Sequence, residues 1–267
     1  MNRKMLASVI LATLVLDVAW AQPAPPKEPP GPAPRNAEGR VLLSGAGLED
    51  KGLWSPNFPI FKPGGGFNTI APLESIPFQP WARALSDARE ITQFEPHARC
   101  KASGAARQFL TPYGVEFVEL EDLGRLYIFD VGGPHTFRTV YMDGRSHPTD
   151  GLTNNYGHSI GWWEGDTLVI DTVGYNEDFW FERRGLPFTE QLHTLERFTR
   201  TDAGTIDYRL TVDDPGAYTA AFEGGFKLRW EEDVELFEYI CQQANLADVL
   251  MVEDDAGLEN PSPVVVP

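Results

Sequence analysis

The sequence is poor in cationic residues. Its 267 residues include 22 Lys and Arg against 39 Asp and Glu, which gives a formal net charge of −17. So acidic a chain repels the phosphates of nucleic acid and the headgroups of an anionic membrane surface. We therefore expect no nucleic-acid partner.

Motifs for metals and cofactors are missing as well. The five histidines show neither H-x-H nor H-E-x-x-H spacing, and the acidic clusters lack the EF-hand pattern. Neither a phosphate-binding G-x-x-x-x-G-K-[ST] loop nor a dinucleotide fingerprint occurs. We expect no metal and no cofactor, and a small molecule as the ligand. The sequence does not indicate an oligomeric state.

Long apolar runs are limited to one, at the N-terminus. Arg3 and Lys4 precede an apolar stretch over residues 5–16, and Ala19 and Ala21 follow it with small-x-small spacing. This order is typical of a secretory signal peptide that is cleaved after Ala21. The run is too short for a membrane anchor, which needs about 20 apolar residues. We expect a periplasmic or secreted protein without stable membrane insertion.

Cysteine is scarce, and export gives the two cysteines a meaning. Cys100 and Cys241 are the only pair available, and an oxidising compartment permits a disulfide between them. Such a bond would join the front of the domain to its last element. Two free buried thiols are the alternative.

What the chain has in abundance is Gly and Pro, 25 and 22 residues, which argue against long helices. A signal peptide (1–21) and a Pro-rich tether (22–50) precede a single domain with an irregular N-terminal arm (51–250) and an acidic, Pro-containing tail (251–267). One helix is predicted to begin at Pro80. The element from Val234 to Leu250 is predicted to end as another.

From Gly114 the hydrophobic period is two, which indicates strands separated by turn residues. The predicted strands are 114–120, 125–130, 135–142, 157–163, 167–173, 191–200, 205–213, 218–223 and 226–232. Without helices between them they predict an antiparallel meander. The expected fold is mainly β, a lipocalin-like barrel that closes its edges and has room for one small ligand.

Several strings in this region resemble a widespread family of exported bacterial proteins usually described as hypothetical. The strings that carry the resemblance are GHSIGWWEGDTLVIDTVGYN (157–176), HTLERFTR (193–200) and DDPGAYT (213–219). The resemblance covers about residues 75–245. It implies export and a single domain, and it transfers no catalytic residue.

Residues 157–161, GHSIG, match the G-x-S-x-G nucleophile elbow of α/β-hydrolases. That motif needs a strand before the serine and a helix after it. Here a loop precedes Ser159 and a hairpin follows it, so a serine hydrolase is the weakest functional hypothesis.

The hairpin after GHSIG places His158 near Asp171. A turn at Gly165-Asp166 pairs Ile160 with Asp171, whereas a turn at Glu164-Gly165 pairs His158 with Asp171; both put His158 and Asp171 on one face. A carboxylate beside an imidazole raises its basicity, as a general base requires. A surface ion pair is the alternative.

The next hairpin is predicted to direct His193 and Arg197 inward. A four-residue loop over 201–204 pairs Glu196 with Arg209, whereas shortening it by one residue opposes Arg197 to Arg209, which is unfavourable. In the preferred register the more apolar face carries His193, Leu195, Arg197, Tyr208, Leu210 and Val212. A buried Arg197 would need an anion, from a ligand or from the protein. A structural ion pair with a core histidine is the alternative.

Aromatic residues supply candidates for an apolar pocket wall, with plain core packing as the alternative. These candidates are Tyr141, Trp162, Trp180, Trp230 and, on the inner face, Tyr208. The loop over 174–190 is long and aromatic, and is either a lid over a barrel mouth or a loop that merely packs.

The leading hypothesis is that the barrel binds a small, mainly apolar organic molecule, neutral or anionic, with Arg197 pairing with its anion and His193 hydrogen-bonding it. The alternative is a cofactor-free lyase or isomerase, in which His193 or the His158–Asp171 pair moves a proton. A cell-envelope interaction module is a third. An enclosed cavity with His193 and Arg197 inside would favour the first two, and a filled barrel the third.

Overall fold

Nine strands form a closed barrel in the computed structural model, which describes residues 30–47, 49–56, 69–92, 95–111, 114–130, 136–151 and 153–241. The strands are β1 (Gly52–Pro56), β2 (Val115–Leu120), β3 (Arg125–Asp130), β4 (Phe137–Tyr141), β5 (His158–Glu164), β6 (Thr167–Val173), β7 (His193–Asp202), β8 (Thr205–Asp213) and β9 (Phe222–Glu232). One α-helix, α1 (Pro80–Thr92), and four short 3-10 helices accompany them: Leu73–Ser75, Pro96–Arg99, Ala105–Leu110 and Glu121–Leu123.

Each strand pairs with its sequence neighbours, and β1 closes the barrel by pairing with both β2 and β9. The predicted mainly-β barrel is confirmed. The pairing of β4 with β5 corrects the expectation of an entirely antiparallel meander, because these two strands are parallel. Parallel neighbours need a long connection that returns the chain to the same end of the sheet, and residues 142–157 provide it.

Two strand assignments differ from the sequence prediction. Residues 222–223 of the strand predicted at 218–223 join the one predicted at 226–232 in a single strand, β9, and Gly224 and Gly225 lie within it rather than in a turn. Residues 218–221 precede this strand. At the two glycines the backbone of Ile70 packs against the strand, and the Gly225 amide donates to the Ile70 carbonyl over 2.9 Å. Strand β1 was not predicted, because its residues lie in the Gly- and Pro-rich arm.

The predicted helix at Pro80 is confirmed as α1. Residues 234–240 are irregular, and Cys241 is the last residue described. The signal peptide, the tether up to residue 29, residues 242–250 of the last element and the tail lie outside the described residues. Among the helices that are described, none is both long and apolar enough to cross a membrane.

The barrel interior is filled by side chains from alternating positions. Its buried apolar members include Phe117, Leu126, Ile128, Val140, Leu168, Ile170, Phe198, Tyr208, Leu210, Val212 and Leu228. The N-terminal arm is attached through Arg200, which donates to the carbonyls of Leu42 and Ser44 over 2.6 and 2.7 Å. The same guanidinium lies 4.8 Å from the ring centre of Trp54. The predicted disulfide between Cys100 and Cys241 is confirmed.

Candidate functional site

Three histidines and one aspartate form a hydrogen-bonded chain on the outer wall of the barrel, which we call the histidine chain. His193 Nε2 lies 2.8 Å from Asp171 Oδ1, and His147 Nε2 lies 3.2 Å from the same oxygen. His147 Nδ1 in turn lies 2.8 Å from His158 Nδ1. The order His193–Asp171–His147–His158 is therefore continuous.

The strand registers explain this arrangement. β5 and β6 turn at Gly165-Asp166, so that Ile160 faces Asp171 and His158 is its diagonal neighbour. This is the first of the two predicted registers. On the other side Asp171 faces Leu195 of β7, which places His193 two residues away on the same face. All of these positions point away from the barrel core.

His147 was missed by the sequence analysis. It lies in the connection 142–157, where no strand or helix period marks the direction of a side chain. The only available signal is the crossover itself, because the connection must return past β5 and so passes the outer wall. His147 joins His158 to Asp171, which do not bond directly.

The histidines at the two ends of the chain are shifted in opposite directions. The hydrogen bond and charge of Asp171 raise the pKa of His193 above its ordinary value. Partial burial and the charges of His147 and Arg145 lower the pKa of His158. Partial burial of Asp171 acts to raise its pKa, but the hydrogen bonds from His193 and His147 outweigh burial and lower it. His158 is thus neutral near pH 7 and available as a base.

His158 lines a groove of about 520 Å³ at the junction of β4, β5 and the end of β6. The remaining lining residues are Phe137, Thr139, Tyr141, Pro148, Thr149, Gly151, Asn154, Tyr156, Gly157, Val173 and Gly174. Tyr141 stacks on His158, with ring centres 4.9 Å apart and planes inclined by 18°. The groove therefore combines an aromatic wall with one imidazole.

Two arginines lie over Tyr141. Arg145 and Arg125 place their guanidinium carbons 4.1 and 4.5 Å from its ring centre. Both bond to one carboxylate, Asp143, at 2.5 and 3.2 Å. Two positive charges thus share one negative charge beside Tyr141, although neither arginine is among the residues that line the groove.

The predicted inward direction of Arg197 and His193 is wrong. Arg197 faces Arg209, the register that was considered unfavourable, because a bulge between Arg200 and Asp202 shifts the hairpin by one residue. Each arginine has its own acid: Arg197 bonds to Glu164 at 2.5 Å, and Arg209 to Asp207 at 3.3 Å. His193 and Arg197 therefore lie on the outer wall, and neither forms an anion clamp inside the barrel.

The inner face of β7 carries Glu196 instead, in a buried polar network. Glu196 bonds to Arg138 at 2.5 Å and accepts from the hydroxyl of Tyr208 at 3.0 Å. Arg138 also donates to Ser159 and Thr172 over 2.9 and 2.6 Å. Ser159 of the GHSIG string is thus a buried strand residue, and no nucleophile elbow is present. Tyr208 belongs to this network and does not reach the groove.

Two other predicted pocket residues lie elsewhere. Trp162 is 39% exposed on the outer wall and donates to Glu164. Trp180 is buried in the loop 174–190, with Arg89 5.3 Å from its ring centre. That loop packs Phe179, Phe181 and Phe188 into the core. Of the predicted pocket aromatics, Tyr141 is the one that lines the groove with His158.

Within the part of the chain that the structure describes, no group of three or more His, Cys, Asp or Glu side chains is arranged to hold a metal ion. Comparison of the chain with protein-family models, with curated proteins and with solved structures gives no match. Function is therefore inferred from the geometry of the site itself.

Proposed function

We propose that the protein binds a small, largely apolar organic anion in the groove beside His158. The observation that carries the proposal is the groove of about 520 Å³, in which aromatic side chains and one imidazole line the same space. Ligand sites are typically concave and apolar with a few well-placed polar groups. The groove takes the place of the internal pocket expected from the sequence, since core side chains fill the barrel.

The ligand class follows from the groove's wall and its charge. Tyr141 and Phe137 supply aromatic surface, and His158 supplies a hydrogen-bonding nitrogen. Arg125 and Arg145 lie over Tyr141 without lining the groove, and because they share the carboxylate of Asp143, their positive charge favours an anionic group nearby. An aromatic carboxylate satisfies all three features.

Export belongs to the same proposal. A signal peptide with cleavage after Ala21 would place the protein in the periplasm or outside the cell, and the Cys100–Cys241 disulfide fits an oxidising compartment. The ligand would then be a molecule that reaches the cell envelope.

A set of aromatic carboxylates and their uncharged amides tests the proposal by NMR titration of the full mature chain. We expect carboxylates to shift the resonances of His158 and Val173, and Tyr141→Ala to weaken binding at least about tenfold, because stacking area is lost. Trp162→Ala is the matched control, since it removes an aromatic of the outer wall that does not line the groove. Failure of every probe to shift groove resonances would refute the proposal.

An envelope interaction module is the second candidate, and the filled barrel interior favours it. Large apolar side chains are also exposed on the outer surface, with Leu123 at 64% and Phe137 at 54%. Native mass spectrometry of the protein as purified separates the two candidates. A retained small molecule supports the groove, whereas a stoichiometric protein partner with an empty groove supports the module.

A further inference from the structure

The histidine chain contains more than ligand binding requires. A groove that only held an aromatic anion would need one hydrogen-bonding group, and His158 provides it. Behind His158, however, lie His147, Asp171 and His193, joined by contacts of 2.8, 3.2 and 2.8 Å. An aspartate and two further histidines in one continuous hydrogen-bonded chain provide a path along which a proton can move.

We propose that the histidine chain is a proton relay that makes His158 Nε2 the general base of a reaction on a small 2-oxo acid. The base removes a proton from the carbon beside the carbonyl. This inference rests on the proposed binding function, because the substrate would occupy the same groove.

Hydrogen-bond chemistry assigns the protons. An ionised Asp171 only accepts, so His147 and His193 both donate to it through Nε2–H. The neutral form of His147 then has its lone pair on Nδ1, where it accepts the Nδ1–H of His158 over 2.8 Å. This tautomer leaves the lone pair of His158 on Nε2. Among the described residues, Nε2 has no hydrogen-bond partner, and His158 lines the groove.

Proton uptake at Nε2 is supported by the groups behind it. When Nε2 gains a proton, the Nδ1 proton of His158 can move to His147, which places the positive charge next to the carboxylate of Asp171. In this way the carboxylate of Asp171 stabilises the imidazolium that forms. His193 is a positioning residue: it holds Asp171 from the far side and does not reach the groove.

The substrate class follows from what the site holds and what it does not. Among the side chains described, the hydroxyl nearest in sequence, Ser159, is inside the barrel and bonded to Arg138 and Thr172. A covalent acyl intermediate on that serine is therefore excluded. A neutral imidazole whose Nε2 lone pair is unused suits removal of a proton from carbon, and the arginines over Tyr141 suit a carboxylate substrate.

The proposed proton removal is balanced in atoms and electrons and uses no cofactor. The C3–H proton of the 2-oxo acid passes to His158 Nε2, and its electron pair forms the C2–C3 double bond. The carbonyl pair moves to oxygen, which takes a proton from water. The protonated His158 returns its proton to the hydroxide formed, so that the net change is keto to enol.

Solvent-deuterium exchange at C3 of phenylpyruvate, followed by NMR, reports this step directly. We expect the full mature chain to accelerate exchange above the buffer rate, and His158→Gln to reduce the acceleration by about 100-fold. Asp171→Asn should cause a smaller loss and alter the pH profile. Trp162→Phe, on the same strand but outside the groove, should leave the rate unchanged.

The pH profile and the tautomers distinguish a relay from a structural cluster. The groups facing His158 are His147, Asp171, Arg145 and Tyr141, with His193 beyond Asp171. The exchange rate should rise with pH and level off below the ordinary histidine pKa. Nitrogen-15 NMR of the wild-type protein should find the proton of neutral His158 on Nδ1; a proton fixed on Nε2 would overturn the relay without requiring any variant.

Phenyllactate, which keeps the aromatic ring and the carboxylate but has a hydroxyl in place of the ketone that acidifies C3–H, separates this inference from the proposed function. If phenyllactate binds in the groove and phenylpyruvate exchanges no faster than in buffer, the relay is refuted and the binding function stands. If neither ligand binds, both fail. Exchange abolished by EDTA would also refute the relay, by making the cluster a metal site.

Discussion

At the scale of single residues, the interior of the barrel holds an ion pair between Arg138 and Glu196. Both side chains are almost fully buried and bond at 2.5 Å. Burial acts to lower the pKa of Arg138, but the neighbouring Glu196 raises it above the ordinary arginine value, so the guanidinium stays charged. Among the described residues, Arg138 Nη1 is buried without a partner. A buried ion pair of this kind need not add net stability, because the cost of desolvating both charges offsets their attraction.

Breaking this pair should be costly, whereas replacing both members should not. We expect Arg138→Met to lower the free energy of unfolding by about 3–5 kcal/mol, because Glu196 is left buried and unpaired. Arg138→Met combined with Glu196→Leu should lose less than Arg138→Met alone. Urea unfolding measures both. Arg197→Gln, in an exposed pair on the strand that carries Glu196, is the control and should hardly shift the curve; equal effects of the two arginine substitutions would contradict the argument.

His97 predicts a pH dependence of stability. Burial, together with the charges of Arg107 and Arg183, lowers its pKa to about 3. The folded protein therefore keeps His97 neutral where the unfolded chain protonates it, between pH 6.5 and about 3. In this window stability falls as the pH falls, by up to about 1.4 kcal/mol per pH unit from this group. His97→Gln should flatten the dependence measured by urea unfolding at pH 4.5–7; an unchanged slope would contradict this.

At the scale of elements, alternation predicted where the strands lie and that β8 turns Tyr208, Leu210 and Val212 inward, but not which way β7 faces. Each face of β7 carries a charged residue, Glu196 on one and Arg197 on the other. The number of apolar residues therefore decided the prediction, and it favoured the face with Leu195. The structure buries the other face, because Arg138 from β4 meets Glu196 inside the barrel. A long-range partner of this kind leaves no local pattern. The bulge between Arg200 and Asp202 likewise changes the register by one residue without a turn signal.

Gly224 and Gly225 explain why β9 continues through a position where a turn was predicted, and a substitution can test this explanation. A Cβ at Gly224 would lie 2.5 Å from the Ile70 carbonyl oxygen, which is backbone and cannot give way cheaply. We expect Gly224→Ala to destabilise the protein by about 1–3 kcal/mol in thermal or urea unfolding. Gly47→Ala is the control, since nothing lies within 4 Å of its added carbon. A near-neutral Gly224→Ala would mean that the Ile70 segment does not pack there.

At the scale of the whole molecule, the sequence predicted the barrel and two members of the histidine chain, His158 and Asp171. The His158–Asp171 juxtaposition followed from one hairpin and a period of two, so it needed no tertiary information. The position of His147 could not be predicted in this way, because it depends on how the crossover between the parallel strands lies on the barrel wall. The location of the groove could not be predicted for the same reason. Local periodicity determines which residues share a face, and closure of the barrel determines which face is filled.

The disulfide is the longest-range covalent constraint on this architecture, linking Cys100 and Cys241 across a separation of 141 residues. The chain-entropy model gives such a bond at most about 5 kcal/mol. We expect the reductant dithiothreitol and the double substitution Cys100→Ser, Cys241→Ser to lower the urea midpoint by the same amount.

The double variant serves as the control, because dithiothreitol should not lower its urea midpoint any further. Thiol titration of the denatured, unreduced protein should find no free thiol, and two reactive thiols would refute the bond. The irregular segment over residues 234–240 follows β9 and is attached at its end by Cys241. Reduction should therefore increase its hydrogen exchange before that of the barrel strands, which keep their ladder of backbone bonds.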